Sequence, residues 1–170
     1  DLRNVAIRAG INIYSYNTQA QKYPTVQSIN RPDGNPIPWS ALSALSVDAY
    51  NTNTLYSIED SFFGQNRIFT LDVSSKPALI VGETKIWDSN NVFANSGINA
   101  GLPSFSNAEL AAMINADKSV NLDPEGLAKA SDGGFWIASE GSGAAADAKS
   151  SNLIFKTDAF GVIQSVIGLP

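Results

Sequence analysis

The feature that most constrains this chain is an internal repeat. Asn66-Arg67-Ile68-Phe69-Thr70-Leu71-Asp72 and Asn152-Leu153-Ile154-Phe155-Lys156-Thr157-Asp158 are identical at four of seven positions. Their flanks are collinear: Leu55-Tyr56-Ser57-Ile58-Glu59-Asp60 matches Phe135-Trp136-Ile137-Ala138-Ser139-Glu140, and Ser43-Ala44-Leu45-Ser46 matches Glu125-Gly126-Leu127-Ala128. The offsets are 86, 80 and 82 residues, so the order is kept while the loops vary. A chance match between unrelated meanders is the competing reading, and the collinear flanks weigh against it. Each copy alternates short runs of β-branched and aromatic residues with clusters of Asn, Ser, Gly and Asp, which marks strands and turns. Ser131-Asp132-Gly133-Gly134 and Ala159-Phe160-Gly161 suit tight hairpins, where glycine supplies a positive φ. Read in order, each copy is a four-stranded antiparallel meander, the form of a propeller blade.

The expected fold is therefore all-β, a partial β-propeller of about two and a half four-stranded antiparallel blades. Residues 1–30 supply a partial blade with a candidate strand at 11–16, residues 38–87 one blade, and residues 121–170 another. Between the whole blades lies an insertion, residues 88–120, rich in Asn, Ser and Gly. It carries one short helix, announced by the capping box Ser106-Asn107-Ala108-Glu109 and the helix-favouring Leu110-Ala111-Ala112-Met113-Ile114. The insertion accounts for most of the excess over the usual blade period of about 40–50 residues. Propellers close with about 4–8 blades. An arc of this size calls for the remaining blades, from a longer polypeptide or from another copy or fragment.

Composition narrows the chemistry. The chain has no His and no Cys, which excludes a Ser-His-Asp triad, a Cys-His dyad, His-ligated zinc, disulfides and thiolate sites within it. A net charge of −5 with scattered Lys and Arg argues against nucleic-acid binding and makes hard cations the natural partners. No apolar run is long enough for a transmembrane helix. The N-terminal residues lack the plan of a signal peptide and suit either a processed end or a cut made elsewhere. Gly143-Ala144-Ala145-Ala146-Asp147-Ala148-Lys149-Ser150 resembles a phosphate-binding loop, but a strand follows where that loop needs a helix.

The chemistry-bearing residues gather by topology. The first and second strands of a blade are antiparallel, so the start of one and the end of the other share a rim. Asp123 and Glu125 open the first strand of the later blade, and Glu140 closes its second. Asp60 is the counterpart of Glu140 in the earlier blade, where Ser43 replaces Glu125. Carboxylates converging without His point to Ca²⁺ or Mg²⁺, which take oxygen ligands. Equally, Asp and Glu cap turns and solvate strand ends, and spacing alone does not separate the two readings.

Two segments together carry a family resemblance. The first runs Pro38-Trp39-Ser40-Ala41-Leu42-Ser43-Ala44-Leu45, then Leu55-Tyr56-Ser57-Ile58-Glu59-Asp60-Ser61-Phe62-Phe63, then Arg67-Ile68-Phe69-Thr70-Leu71-Asp72-Val73. The second runs Leu122-Asp123-Pro124-Glu125-Gly126-Leu127-Ala128, then Gly133-Gly134-Phe135-Trp136-Ile137-Ala138-Ser139-Glu140-Gly141. Both resemble the bacterial phytase-like family described as "esterase-like activity of phytase", whose members are propellers, typically exported. The resemblance covers residues 33–170 and implies a domain of about twice this length, periplasmic or extracellular. It implies a metal-assisted, Ca²⁺-dependent phosphoester or ester hydrolase acting on a phosphorylated small molecule. Asp60, Asp123, Glu125 and Glu140 match the acidic motif positions and would hold the metal, with Glu125 or Glu140 as base. Glu59 departs from the family, which often has Ser there. The alternatives are a non-catalytic propeller interaction module, whose acidic residues are structural, and a lactonase-like hydrolase of neutral cyclic esters.

Overall fold

The structure is a computed structural model and describes residues 25–95, 106–140 and 152–168. The expected strand at 11–16 and the loop at 143–150 lie outside the described residues. Strands β2 (Leu42–Val47), β3 (Thr54–Glu59), β4 (Arg67–Asp72) and β5 (Ala78–Lys85) form an antiparallel meander. The short strand β1 (Val26–Ser28) joins the outer edge of this sheet, parallel to β5. A second meander consists of β6 (Asp123–Lys129), β7 (Phe135–Glu140), β8 (Leu153–Thr157) and β9 (Ile163–Gly168).

The two meanders repeat each other down to their irregularities. The β2–β3 ladder skips Ser43, and the β6–β7 ladder skips Glu125. Register shifts also recur between the third and fourth strands, at Thr70/Leu71 and at Lys156/Thr157. Bulges of this kind bend a strand and re-aim one side chain. Two four-stranded units thus stand side by side; no closed ring is formed by the described residues.

The sheets meet face to face. Ile58, Ile68 and Ile86 of the first unit pack in one cluster with Phe135, Ile137, Leu153, Phe155 and Ile163 of the second. Each such side chain contributes about 1.5–3 kcal/mol on leaving water. The opposite face of the first sheet buries Phe69, Leu71 and Ile80 beneath Ile37 and Trp39. Covered on both faces, β4 reads as a nearly unbroken buried run, whereas β8 alternates. The second sheet's other face leaves Trp136 38% and Ile167 48% exposed.

Two polar joints fix the units against each other. Buried Asn66 donates from Nδ2 to the Leu122 carbonyl (2.9 Å) and accepts from the Leu122 N–H (2.7 Å). At the other joint the 158–162 turn docks on the chain leaving β5: Trp87 N–H donates to Gly161 O at 2.9 Å. Gly161 is required there, since its φ is 85° and a Cβ would sit 2.1 Å from the Lys85 carbonyl oxygen.

The insertion differs from the expectation of one helix, because its described residues form two. Helix α2 (Asn107–Met113) forms the capping box, with Ser106 and Glu109 exchanging side-chain-to-backbone bonds of 2.6 and 3.2 Å. The unexpected α1 (Val92–Asn95) exists because the buried Asp88 carboxylate accepts from the Val92 (2.6 Å) and Phe93 (3.2 Å) N–H groups. Phe93 and Met113 then enter the core between the sheets.

Candidate acidic site at the blade rim

The site begins where β3 ends. Asp60 caps the 3-10 turn Ser61–Phe63, accepting from the Ser61 N–H and from Ser61 Oγ (2.9 Å). Gly64, at φ 65°, closes that turn. Across the interface between units, β6 opens at Asp123, paired in register with Glu140 at the end of β7. Residues so paired have Cβ atoms about 4.5–5.5 Å apart. Glu125 is the unpaired residue of the β6 bulge.

The structure brings Asp60, Asp123, Glu125 and Glu140 into one electrostatic neighbourhood, and the acidities of Asp60, Asp123 and Glu125 record it. Burial, a hydrogen bond to Asp60 and repulsion from Asp60, Glu125 and Glu140 push the Asp123 carboxyl up to about 6. Burial also tends to raise Asp60, but bonds from Ser61 Oγ, from Asp123 and from the Ser61 N–H outweigh it and hold Asp60 below its usual value. Asp123 is accordingly the proton holder and Asp60 the acceptor in a carboxyl pair that bridges the two units. Glu125 is raised by burial, then by repulsion from Glu140 and Asp60. Asp123 Oδ1 is buried without a hydrogen-bond partner. An orphaned acceptor oxygen among carboxylates fits a hard cation's donor set. Among the described residues no three carboxylates already converge as a group that could hold an ion, so the side chains would have to turn inward around one.

Glu59, beside Asp60, faces a different task. Its fully buried carboxylate takes two bonds from Arg67, Nε at 2.5 Å and Nη2 at 2.8 Å. Arg67 Nη1 donates to Glu83 at 2.6 Å, and Arg31 pairs with the other Glu83 oxygen at 2.5 Å. The Arg67 guanidinium also lies 4.9 Å from the Phe63 ring centroid and 5.0 Å from that of Phe69. Burial opposes the charge on Arg67, while Glu59 and Glu83 hold it ionised. Glu59 is therefore committed to an internal ion-pair ladder and unavailable as a ligand.

Beside the carboxylates opens a cavity of about 440 Å³, bordered by Ser61, Phe62, Met113, Leu122, Asp123 and Glu140. Sequence reasoning missed it, because its wall is assembled from the 3-10 turn, the end of α2 and the approach to β6. The one available signal was the Ser61-Phe62-Phe63-Gly64 run, whose Phe62 is 73% exposed. Phe135 belongs to the core between the sheets, and Trp39 packs on the second cluster.

Paired meanders of matching register, with acidic residues gathered at one rim, define a protein of repeated four-stranded β-meanders. Comparison places it further: residues 37–170 match the phytase-like family described as "Esterase-like activity of phytase". The chain belongs to that family. No curated protein and no solved structure matches it.

Proposed function

We propose that the rim formed by Asp60, Asp123, Glu125 and Glu140 is the metal-binding centre of a hydrolase acting on phosphoester or ester bonds, with Ca²⁺ as the metal. The observation that carries this reading is that carboxylates from two units lie within electrostatic reach of one another at one rim, with Asp123 raised to about 6 by burial and by Asp60, Glu125 and Glu140. Such a cluster disfavours folding unless a cation or protons offset it. Glu140 and Asp123, opposite each other in the ladder, would grip the ion from one unit, and Asp60 from the other. When bound, the cation would polarise the scissile group and offset part of the local field that repels an anionic substrate. Glu125, re-aimed by its bulge, accepts the proton of the attacking water; burial, then repulsion from Glu140 and Asp60, raises its carboxyl above the ordinary value. Glu140 orients that water from the facing strand.

The same reading places the protein in a periplasmic or extracellular setting, where Ca²⁺ is abundant enough for a site of modest affinity. The half-exposed face carrying Trp136 and Ile167 is the docking surface for a further blade of the same polypeptide or of another fragment. Phosphate or alcohol release, measured with Ca²⁺ and with EDTA, tests the function. Loss of activity on chelation supports it; activity untouched by EDTA sinks it.

A further inference from the structure

Asn66 stands immediately before β4, fully buried, and ties the two units together with its backbone and its side chain alike. Its N–H donates to the Val120 carbonyl at 2.8 Å, and its carbonyl accepts from the Ile86 N–H at 3.0 Å. Its side-chain amide then serves Leu122, accepting from the N–H at 2.7 Å and donating to the carbonyl at 2.9 Å. The amide acts as a stand-in peptide group and carries the pairing up to the residue before Asp123. Aspartate cannot donate to that carbonyl, leucine can do neither, and glutamine holds the same groups one methylene further out. Arg67, next in the chain, grips Glu59, the residue before Asp60, and lies 4.9 Å from the ring centroid of Phe63 in the turn that Asp60 caps. Asp60 and Asp123 come from different units, and each follows directly on a residue held by Asn66-Arg67. An aspartate has only two side-chain torsions, so its backbone position largely decides where its oxygens lie. Asp123 and Glu140 are set against each other by the β6–β7 ladder within one unit. The relation of Asp123 to Asp60 depends instead on a tie between units.

We propose that Asn66 is the positioning residue of the rim: its grip on Leu122 sets Asp123 against Asp60 at the separation that one shared cation requires. The proposal rests on reading the rim as a cation site, and it adds the residue that gives the site its geometry across the two units. Asn66 acts through the backbone of Leu122 and is not itself a ligand.

The test reads that geometry twice, once without metal. The chain has no Cys, so Asp60→Cys/Asp123→Cys carries two thiols alone, and a one-carbon bis-methanethiosulfonate reagent reports their proximity by intact mass. The cross-linking rate is compared between that background and the same background with Asn66→Ser, too short to reach Leu122, with Asn66→Gln, or with Ser46→Ala. Ser46 Oγ accepts from the Lys129 N–H at 2.9 Å and ties the units at the far end of β6, so its loss loosens the interface away from the rim. Calorimetry gives the Kd for Ca²⁺ with the same substitutions in the chain that keeps both aspartates, at a temperature where circular dichroism shows each protein folded. Cross-linking should slow about 10-fold in both Asn66 variants and stay unchanged in Ser46→Ala. The Kd for Ca²⁺ should rise about 10–100-fold in the Asn66 variants. If Asn66→Ser fails to fold, Asn66→Gln, which keeps both hydrogen-bonding groups, decides the matter. Absence of cross-linking in the starting background, an unchanged rate in the folded Asn66 variants, or an equal fall in Ser46→Ala overturns the proposal. So does a natural chain that binds Ca²⁺ no more tightly than the Asn66 variants. If the natural chain binds no Ca²⁺ yet cross-linking slows in the Asn66 variants alone, the cation reading fails and the positioning role stands.

Discussion

Asp123→Asn isolates the proton that the two units share. The amide keeps the shape of a protonated carboxyl and donates to Asp60 as that carboxyl does, but it does not ionise. In the natural chain Asp123 titrates near 6 when folded and near 3.8 when unfolded. The folded state therefore binds more protons at this carboxyl between those values, so the contribution of Asp123 to stability is fully present below 3.8 and is lost as pH rises through about 6. At about 1.4 kcal/mol per pH unit the full loss is at most about 3 kcal/mol. Asp123 is partly open to solvent, and screening brings the expectation to about 1–2 kcal/mol. Urea denaturation in EDTA, at pH values from about 4 to about 8, measures it against Asp123→Asn. Glu125 and the other raised carboxyls titrate in both proteins and drop out of the difference. The two proteins should match at the acid end, and Asp123→Asn should be the more stable by about 1–2 kcal/mol at the alkaline end. A difference that does not change with pH, or that favours the natural chain as pH rises, refutes the carboxyl pair.

Three further outcomes follow from the packing. Arg67→Ala strands the buried Glu59 carboxylate and should cost about 3–5 kcal/mol in urea melts, while Glu59→Leu with Arg67→Met should recover most of it. Gly161→Ala forces a Cβ to within 2.1 Å of the Lys85 carbonyl and should lower the melting temperature well beyond Gly34→Ala, where φ is also 85° but space is open; the latter should cost about 1–2 kcal/mol. Phe155→Ala, at the centre of the shared core, should cost about 3–5 kcal/mol by equilibrium denaturation, since both sheets lose the contact.

The repeat was legible because strands and turns have local signatures, and identical positions such as Ile68/Ile154 and Phe69/Phe155 occupy equivalent places in two meanders. The rim was legible for the same reason: antiparallel topology alone carries Asp123 and Glu140 to one end. What joins the units was not. Nothing local marks Asp60 as the hydrogen-bond partner of Asp123, Asn66 as the clasp on Leu122, or Arg67 as the counter-ion of Glu59, because each pairing spans a tertiary contact. Helix α1 was hidden for another reason, since its four residues have no strong propensity and depend on one buried cap, Asp88. Glu59, the departure from the family's Ser, belongs to the ion-pair ladder.

The central claim is that the rim carboxylates form a cation site. Calorimetric titration of Ca²⁺ into the natural chain at neutral pH, beside the Glu125→Gln/Glu140→Gln variant, tests it most directly. The account predicts one saturable site in the natural chain, proton release as Asp123 ionises, and no binding in the variant. Absence of binding to the natural chain, or equal binding to both, would contradict it.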